Sequence, residues 1–385
     1  MIVSELISTK EELEAFIEKI AQADWVAIDT EFLREKTYYA KLCLIQIEAD
    51  DRRACIDPLA IDDMSAFARL MKNQNVTKVL HAAHQDIEII LQLIGETPQP
   101  IFDTQVAASV LGIGDQIGYG RLVESMLGVS LSKTQSRTDW SKRPLKKEQI
   151  EYAIDDVRYL AELYPIMHHQ LASQNRLEWL NKDFAKAIDK ETYAIKAEER
   201  WKKVRGNHVL KRPQLAVLKE LAAWREEQAS MINRPRKWVI SDDILLDLSR
   251  QLPTTVEGIK DIRGVGPNSQ KHHETWLELI EKGKNVPQAD WPELSRSKKA
   301  NATQNALIDM LMLVIQIQAN KHNITAAVIT TRKKVTEMIL DGNTKLTDDW
   351  RGSLVNEQLE GVIKGELFIG MKNNEVCLLP KSEIN

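Results

Sequence analysis

The chain of 385 residues predicts an α/β domain, with a mixed sheet flanked by helices, followed by all-α helical domains. Three observations predict it. Short apolar, strand-like runs alternate with helical patterns through about residue 175, the pattern of an α/β sheet domain. Strand signals largely vanish after Leu177, where the composition turns helical. The chain is also too long for one ordinary core, so two or three domains are expected.

Taken in order, Ser8 or Thr9 with Glu12 has capping-box spacing and opens a helix. Leu13, Phe16, Ile17 and Ile20 lie on its one apolar face. Trp25 to Ile28 is a short apolar run and reads as a buried strand. Residues 42–48 and 54–57 read as two further strands adjacent to it, paired as a hairpin across the charged tip at 50–53. Pro58 ends the third strand. A helix over 62–72 precedes a strand over 78–81. A second helix from Asp86 to Ile94 has Ile87, Ile90, Leu91 and Ile94 on its buried face and stops at Gly95. Residues 101–103 form a last short strand leading into a helix through Leu111.

Gly112 to Gly120 is a glycine-punctuated turn region. Leu131 to Leu145 is polar, basic and aperiodic, a long surface loop before a strong helix from Lys146 to about Leu171. Farther on, residues 181–205 read as a polar helix or linker. Residues 213–228 read as a helix with Leu215, Leu218, Leu221 and Ala222 as its stripe, and Ser241 caps another. Two more helices are expected within 303–340, and a short terminal strand over 366–369.

Bulk composition narrows the function classes. A hydrophobic content of 43% and a charged content of 28% are those of a soluble globular protein. The net charge of −4 gives no whole-chain argument for nucleic acid, so local charge must supply one. Cys43, Cys55 and Cys377 are scattered, with no Cys-x-x-Cys spacing, which argues against a disulfide framework or a zinc knuckle. A reducing cytoplasm fits. The start, Met1 to Ser8, lacks signal-peptide character, and no apolar run approaches the ~18 residues of a membrane span. The expectation is a cytoplasmic protein with no membrane partner.

The chemistry gathers at the end of the Trp25 strand. Asp29 and Glu31 are one residue apart, so strand alternation points them the same way and Thr30 the other. Two carboxylates held side by side repel, a cost relieved by a hard cation between them. The alternative is an acidic strand end running into solvent. Asp86 opens a helix, where a carboxylate also suits the helix dipole. Tyr152 and Asp156 are four apart on a strong helix and share a face, while the adjacent Asp155 points about a quarter-turn away.

Together these residues resemble the DEDD 3′→5′ exonucleases, in the subgroup with tyrosine in the third motif. The flanks, Asp29-Thr-Glu-Phe32, His81-x-x-x-Gln-Asp86, Phe102-Asp-Thr104, Thr138-Asp-Trp-Ser-Lys-Arg-Pro144 and Tyr152-x-x-x-Asp156, are similar to those of the ribonuclease D family. Downstream, Arg212-Pro-Gln-Leu, Trp224-Arg-Glu-Glu, Asn233-Arg-Pro-Arg-Lys-Trp and Ile262-Arg-Gly-Val-Gly resemble the helicase-and-ribonuclease-D C-terminal (HRDC) domain. The resemblance implies a ribonuclease H-like exonuclease domain over 1–175, a helical linker over 176–207, an HRDC domain over 208–288 and a divergent second one over 295–370. It further implies a metal-dependent exoribonuclease using two ions, Mg²⁺ or Mn²⁺, and releasing 5′-mononucleotides during 3′ maturation of tRNA precursors and other small structured RNAs. Asp29 would bridge the ions, Glu31 and Asp156 would complete one, and Asp86 would serve the other through water. Tyr152 would orient the attacking water, since its ordinary pKa of ~10 makes it a poor base. Oxygen ligands alone select hard ions over zinc. His81 and His84 are expected as structural or near-substrate side chains rather than ligands.

For substrate, residues 196–240 carry twelve Lys or Arg against five Asp or Glu, a local phosphate-binding surface if not simply a solvated face. Trp201, Trp224 and Trp238 in that stretch either stack bases or fill core. Lys133, Arg137, Lys142 and Arg143 are expected to contact the RNA backbone near the site. Phe32 and Leu33 either wedge against the terminal base or pack in the core. A monomer is expected. The rival readings are a 3′→5′ exonuclease acting on DNA and a non-catalytic RNA-binding scaffold.

Overall fold

Nine residues from Trp25 to Leu33 form the strand that carries Asp29 and Glu31 near its end. In the computed structural model, residues 5–131, 138–294 and 299–383 are described. The larger sheet contains six strands: β1 (Glu5–Ile7), β2 (Trp25–Leu33), β3 (Lys41–Ala49), β4 (Arg52–Ile56), β5 (Thr77–Leu80) and β6 (Ile101–Asp103). Their order is β1-β4-β3-β2-β5-β6. The sheet is mixed. β3 and β4 form the expected antiparallel hairpin, whereas β1–β4, β2–β5 and β5–β6 are parallel. The three-residue β1 has too little apolar periodicity to stand out in the sequence.

Helices cover both faces. On one side α1 (Lys10–Ile20), α2 (Ser65–Lys72) and α3 (His84–Ile94) pack on Val26, Ile28, Ile45 and Ile56. Thr9 caps α1 in the predicted box with Glu12, and Leu13, Phe16, Ile17 and Ile20 are its buried residues. Gly95 closes α3 in the left-handed conformation, φ 72°. The buried face of α3 is rotated from the expected one: Asp86, Ile87, Ile89 and Ile90 are buried, while Leu91 and Ile94 are only half-buried. On the other side α4 (Thr104–Val110), α5 (Tyr119–Leu127) and α6 (Lys147–Ser173) pack on Ala27, Val79 and Phe102.

The chain divides into two compact units. One comprises residues 1–31, 42–192 and 298–385, and the other 32–41 and 193–297. In the first, the stretch read as one helix or linker after residue 181 starts with α7 (Asn181–Ile188), and Phe184 joins the core under α4 to α6. The C-terminal bundle contains α13 (Ala302–Lys321), α14 (Ala326–Ile329), α15 (Arg332–Leu340) and α16 (Trp350–Ile363). Three helices therefore occupy 302–340, where two were expected. A hairpin of β7 (Leu367–Lys372) and β8 (Glu375–Pro380) follows, so the expected terminal strand has a partner. Trp179 and Trp350 stack at 4.2 Å, and Arg176 donates to the carbonyls of Val110 and His322, which ties this bundle to the sheet domain.

In the second unit, α8 (Arg212–Met231), α9 (Arg236–Val239), α10 (Asp242–Gln251), α11 (Val256–Lys260) and α12 (His273–Lys284) form a bundle. Trp201 and Trp224 sit in its core beside Trp276, whereas Trp238 is 59% exposed. Core packing therefore takes two of the three tryptophans considered for base stacking. Residues 32–41 join this unit: the Tyr38 hydroxyl donates to Glu226, and the backbone N–H groups of Tyr38 and Tyr39 donate to Asn233.

Candidate active site

Asp29 and Glu31 point to the same face of β2 as Ala27, the face on which α6 packs. Along α6, Tyr152 and Asp156 lie one turn apart and line one cleft with Asp29, Thr30 and Glu31, of about 350 Å³. One carboxylate oxygen from each of Asp29, Glu31 and Asp156 lies within 4.8 Å of the others. Asp155 is not part of this group.

Thr30 points to the opposite face, as alternation requires, and there its hydroxyl donates to Asp86 Oδ1 at 2.5 Å. Asp86 thus stands outside the three-carboxylate group but close enough to raise the pKa values of both Asp29 and Glu31. Its place at the head of α3 is set by Asp103. That carboxylate accepts from the N–H groups of Ala82 and Ala83 and from Gln105 at the head of α4. Thr104 adds a bond to the Leu80 carbonyl and lies 2.9 Å from His81 Nδ1. The Phe102-Asp-Thr motif is therefore a clamp on the β5–α3 turn.

Burial, with like charges held close together, sets the electrostatics of the site. Burial, then Asp156, Asp86 and Glu31, push Asp29 well above the usual carboxylate range. Burial, then Asp156 and Asp86, push Glu31 up to about 8. Burial followed by Asp155 raises Asp156 to about 7, and burial raises Asp86 to about 6. Among the described residues, no Lys or Arg lines the cleft. Buried oxygens under this much repulsion form a donor set for hard divalent cations. Asp29, Glu31 and Asp156 would hold one ion directly. Burial, followed by the Asp156, Glu31 and Asp29 charges, raises Tyr152 and keeps it a neutral phenol.

Tyr119, Gly120, Leu131 and Leu160 line the cleft without having been singled out in the sequence. The Tyr119 hydroxyl donates to the backbone carbonyls of Asp155 (3.1 Å) and Asp156 (2.5 Å), fixing the turn of α6 that presents Asp156. Its only sequence signal is a place between Gly118 and Gly120 in a turn region. His81 also lines the cleft and is kept neutral by burial.

Residues 4–172 match the family model described as a 3′-5′ exonuclease, and 214–280 match the HRDC domain. A ribonuclease D from Bartonella henselae is 36% identical over 378 residues, spanning 96% of this chain and 93% of that protein. The chain belongs to the ribonuclease D family. A ribonuclease D from Sphingobium indicum is likewise 36% identical, over 98% of both chains. The crystal structure of Escherichia coli RNase D, described as an exoribonuclease involved in structured RNA processing, superposes with a TM-score of 0.81. It is 28% identical and covers 94% of this chain and 99% of that one.

The proposed RNA contacts distribute differently from one another. Lys133 and Arg137 lie outside the described residues. Lys142 is 79% exposed on its side chain. Arg143 is occupied: it grips Asp57 in two bonds of 2.5 and 2.7 Å and donates to the carbonyls of Cys43 and Trp140. This pins the Thr138–Pro144 motif, and with it Trp140 near Tyr152, to the sheet. Phe32 and Leu33 are half-buried at the end of β2. The environment of Arg143 makes Arg143→Ala a stability variant. Leaving buried Asp57 unpaired should cost about 1–3 kcal/mol, measured by urea denaturation, while RNA affinity of the folded protein stays unchanged.

Metal binding should depend on pH with a definite sign. In the unfolded chain these carboxylates titrate near ~4. In the metal-free fold Asp86, Asp156 and Glu31 titrate near about 6, 7 and 8. Folding takes up protons between those limits, so the metal-free fold loses stability as pH rises from ~4 through about 8. A cation must displace the same protons. Thermal melts should therefore show a small Mn²⁺-induced rise in Tm at pH 5.5 and a much larger one at pH 8.5.

Proposed function

We propose that this chain, a 3′→5′ exoribonuclease of the ribonuclease D family, trims the 3′ ends of structured RNA, with tRNA precursors as the first substrates to test. In this reading it acts as a cytoplasmic monomer with two Mg²⁺ or Mn²⁺ ions. The observation that carries the reading is the convergence of Asp29, Glu31 and Asp156 on one cleft with Tyr152. Asp29 would bridge the ions, with Glu31 and Asp156 on one and Asp86 serving the other through water. The ions supply charge neutralisation on the scissile phosphate and activation of the attacking water. The chain's own residues arrange the encounter. Tyr152, held neutral, offers its hydroxyl to orient the water but does not take its proton. Tyr119 keeps Asp156 at the cleft through its backbone. Thr30 holds the Asp86 carboxylate toward β2. Lys142, with Lys133 and Arg137, would meet the RNA backbone approaching the cleft.

A time course on 5′-labelled precursor tRNA, a matched RNA oligonucleotide and its DNA counterpart tests the reading. Release of 5′-mononucleotides from RNA 3′ ends, stopped by chelator, is expected. Preference for the DNA strand would overturn the RNA assignment. Asp29→Asn should lower the rate by roughly 10³-fold or more, on the several-kcal/mol scale of metal stabilisation. Tyr152→Phe should lower kcat by about 10²-fold and leave RNA affinity unchanged. Near-wild-type turnover by Asp29→Asn would refute the site.

A further inference from the structure

The strand that carries two of the metal carboxylates is held unevenly along its length. Val26, Ala27 and Ile28 are buried, and the parallel pairing of β2 with β5 covers Trp25 to Ala27. Asp29 and Glu31 lie beyond that pairing, and Glu31, Phe32 and Leu33 are only half-buried. Segments with little buried surface open more readily than core strands. Glu31, two residues from the end of β2, is therefore open to fraying. Residues 34–40 lead from β2 to β3, its neighbour in the sheet, so the hold on this connection decides how far the strand end frays.

The hold is built around Glu226 of α8, a carboxylate only 2% exposed. The Tyr38 hydroxyl donates to its Oε1 at 2.5 Å and Arg236 Nε to its Oε2 at 2.5 Å, while Arg200 Nε lies 3.1 Å from Oε1. The Arg236 guanidinium also covers the Tyr38 ring, 5.1 Å from its centroid. Burial opposes the charge on Glu226, but the bonds from Arg236 and Tyr38 outweigh it and hold the carboxyl below the usual glutamate range. Burial, then Glu226, pushes the Tyr38 phenol up to about 12, so it remains a donor. The Asn233 side-chain oxygen accepts from the N–H groups of Tyr38 and Tyr39, both at 3.1 Å. Asn233 itself is left-handed, φ 48°, a conformation that asparagine tolerates. Hydrogen bonds to a charged carboxylate are stronger than neutral ones, so the connection is clamped rather than merely resting on the HRDC bundle.

We infer that Tyr38, Glu226 and Asn233 are positioning residues for the metal centre: by fastening the connection that follows β2, they keep Glu31 in place beside Asp29 and Asp156. The inference rests on the exoribonuclease reading and its metal site. The coupling runs through the covalent chain, seven residues from Glu31 to Tyr38. It gives the HRDC domain a part in assembling the metal site, separate from any contact with RNA. Loosening the clamp weakens metal binding first and turnover only as a consequence, so activity falls at low metal and recovers as metal saturates. A clamp that served packing alone would change stability and leave metal affinity as it was.

The test uses the full chain. Tyr38→Phe removes the hydroxyl and keeps the ring under Arg236, and Asn233→Gly removes the acceptor while the left-handed backbone stays accessible. Among the described residues, neither position lines the metal cleft. Mn²⁺ binding is measured by isothermal titration calorimetry without RNA, together with Tm, RNA affinity in chelator and nucleotide release across a Mn²⁺ series. The double variant should bind Mn²⁺ about tenfold more weakly, the low end for groups that orient metal ligands. Its Mn²⁺ requirement for half-maximal release should rise by the same factor, with kcat at saturating metal approaching wild type and RNA affinity in chelator unchanged. Tyr38→Phe alone should weaken Mn²⁺ binding about threefold, as expected for one lost hydrogen bond, and it carries the same comparison if the double variant does not fold. Unchanged Mn²⁺ affinity, with or without a fall in Tm, would reduce the clamp to packing and overturn the inference. Weaker RNA binding in chelator with Mn²⁺ affinity intact would make these residues RNA contacts and also overturn it. Because Mn²⁺ binding is read without RNA, a wild-type protein that released no nucleotide would count against the exoribonuclease reading on its own.

Discussion

Repulsion among Asp29, Glu31 and Asp156 is the constraint on which the rest of the catalytic domain depends. Three half-buried carboxylates with oxygens within 4.8 Å of one another do not assemble spontaneously. Desolvation and mutual charge both disfavour their ionised forms. The fold imposes the arrangement anyway, which is strain of the kind found at functional sites. A dry sheet core behind Asp29, built from Val26, Ala27 and Ile28, provides the leverage.

The supports around the site follow from that constraint. Each is a neighbour that positions a carboxylate without supplying a cation to it. Thr30 secures Asp86 by a hydroxyl bond, Asp103 fixes the turn that presents Asp86, and Tyr119 fixes the backbone beneath Asp156. Neutral donors orient a carboxylate without cancelling the charge that a cation needs. Cationic side chains are used nearby, but structurally: Arg143 satisfies Asp57 and the Cys43 carbonyl, and Arg53 pairs with Glu48. The tendency is to keep permanent positive charge bonded away from the metal carboxylates, so that the centre stays attractive to divalent ions.

Much of this was legible in the sequence because it rests on local periodicity. A period of two places Asp29 with Glu31 and Thr30 opposite, and a spacing of four places Tyr152 over Asp156. Thr9, Glu12 and Gly95 announce helix ends through backbone chemistry that operates within a few residues. What escaped depends on distant pairing. Nothing local to Tyr119 shows that it reaches the carbonyl of Asp156, thirty-seven residues on. Arg143 looks like a free loop cation until Asp57 is brought beside it. Residues 32–41 begin with the last two residues of β2, yet they belong to the unit of residues 193–297, where the Tyr38 hydroxyl donates to Glu226. The C-terminal bundle joins the catalytic unit through Trp179 on Trp350, a stacking across the whole intervening chain. Trp201 and Trp238 differ in burial although both lie in the same basic stretch, because only packing decides which tryptophan faces solvent.

We propose that the repulsion centred on Asp29 is resolved by two divalent cations. Anomalous scattering from crystals soaked in Mn²⁺ addresses it directly. Two manganese peaks are expected, both touching Asp29, one completed by Glu31 and Asp156 and the other on the side of Asp86. A single peak, or ions bound away from Asp29 with the three carboxylates dispersed, would contradict the account.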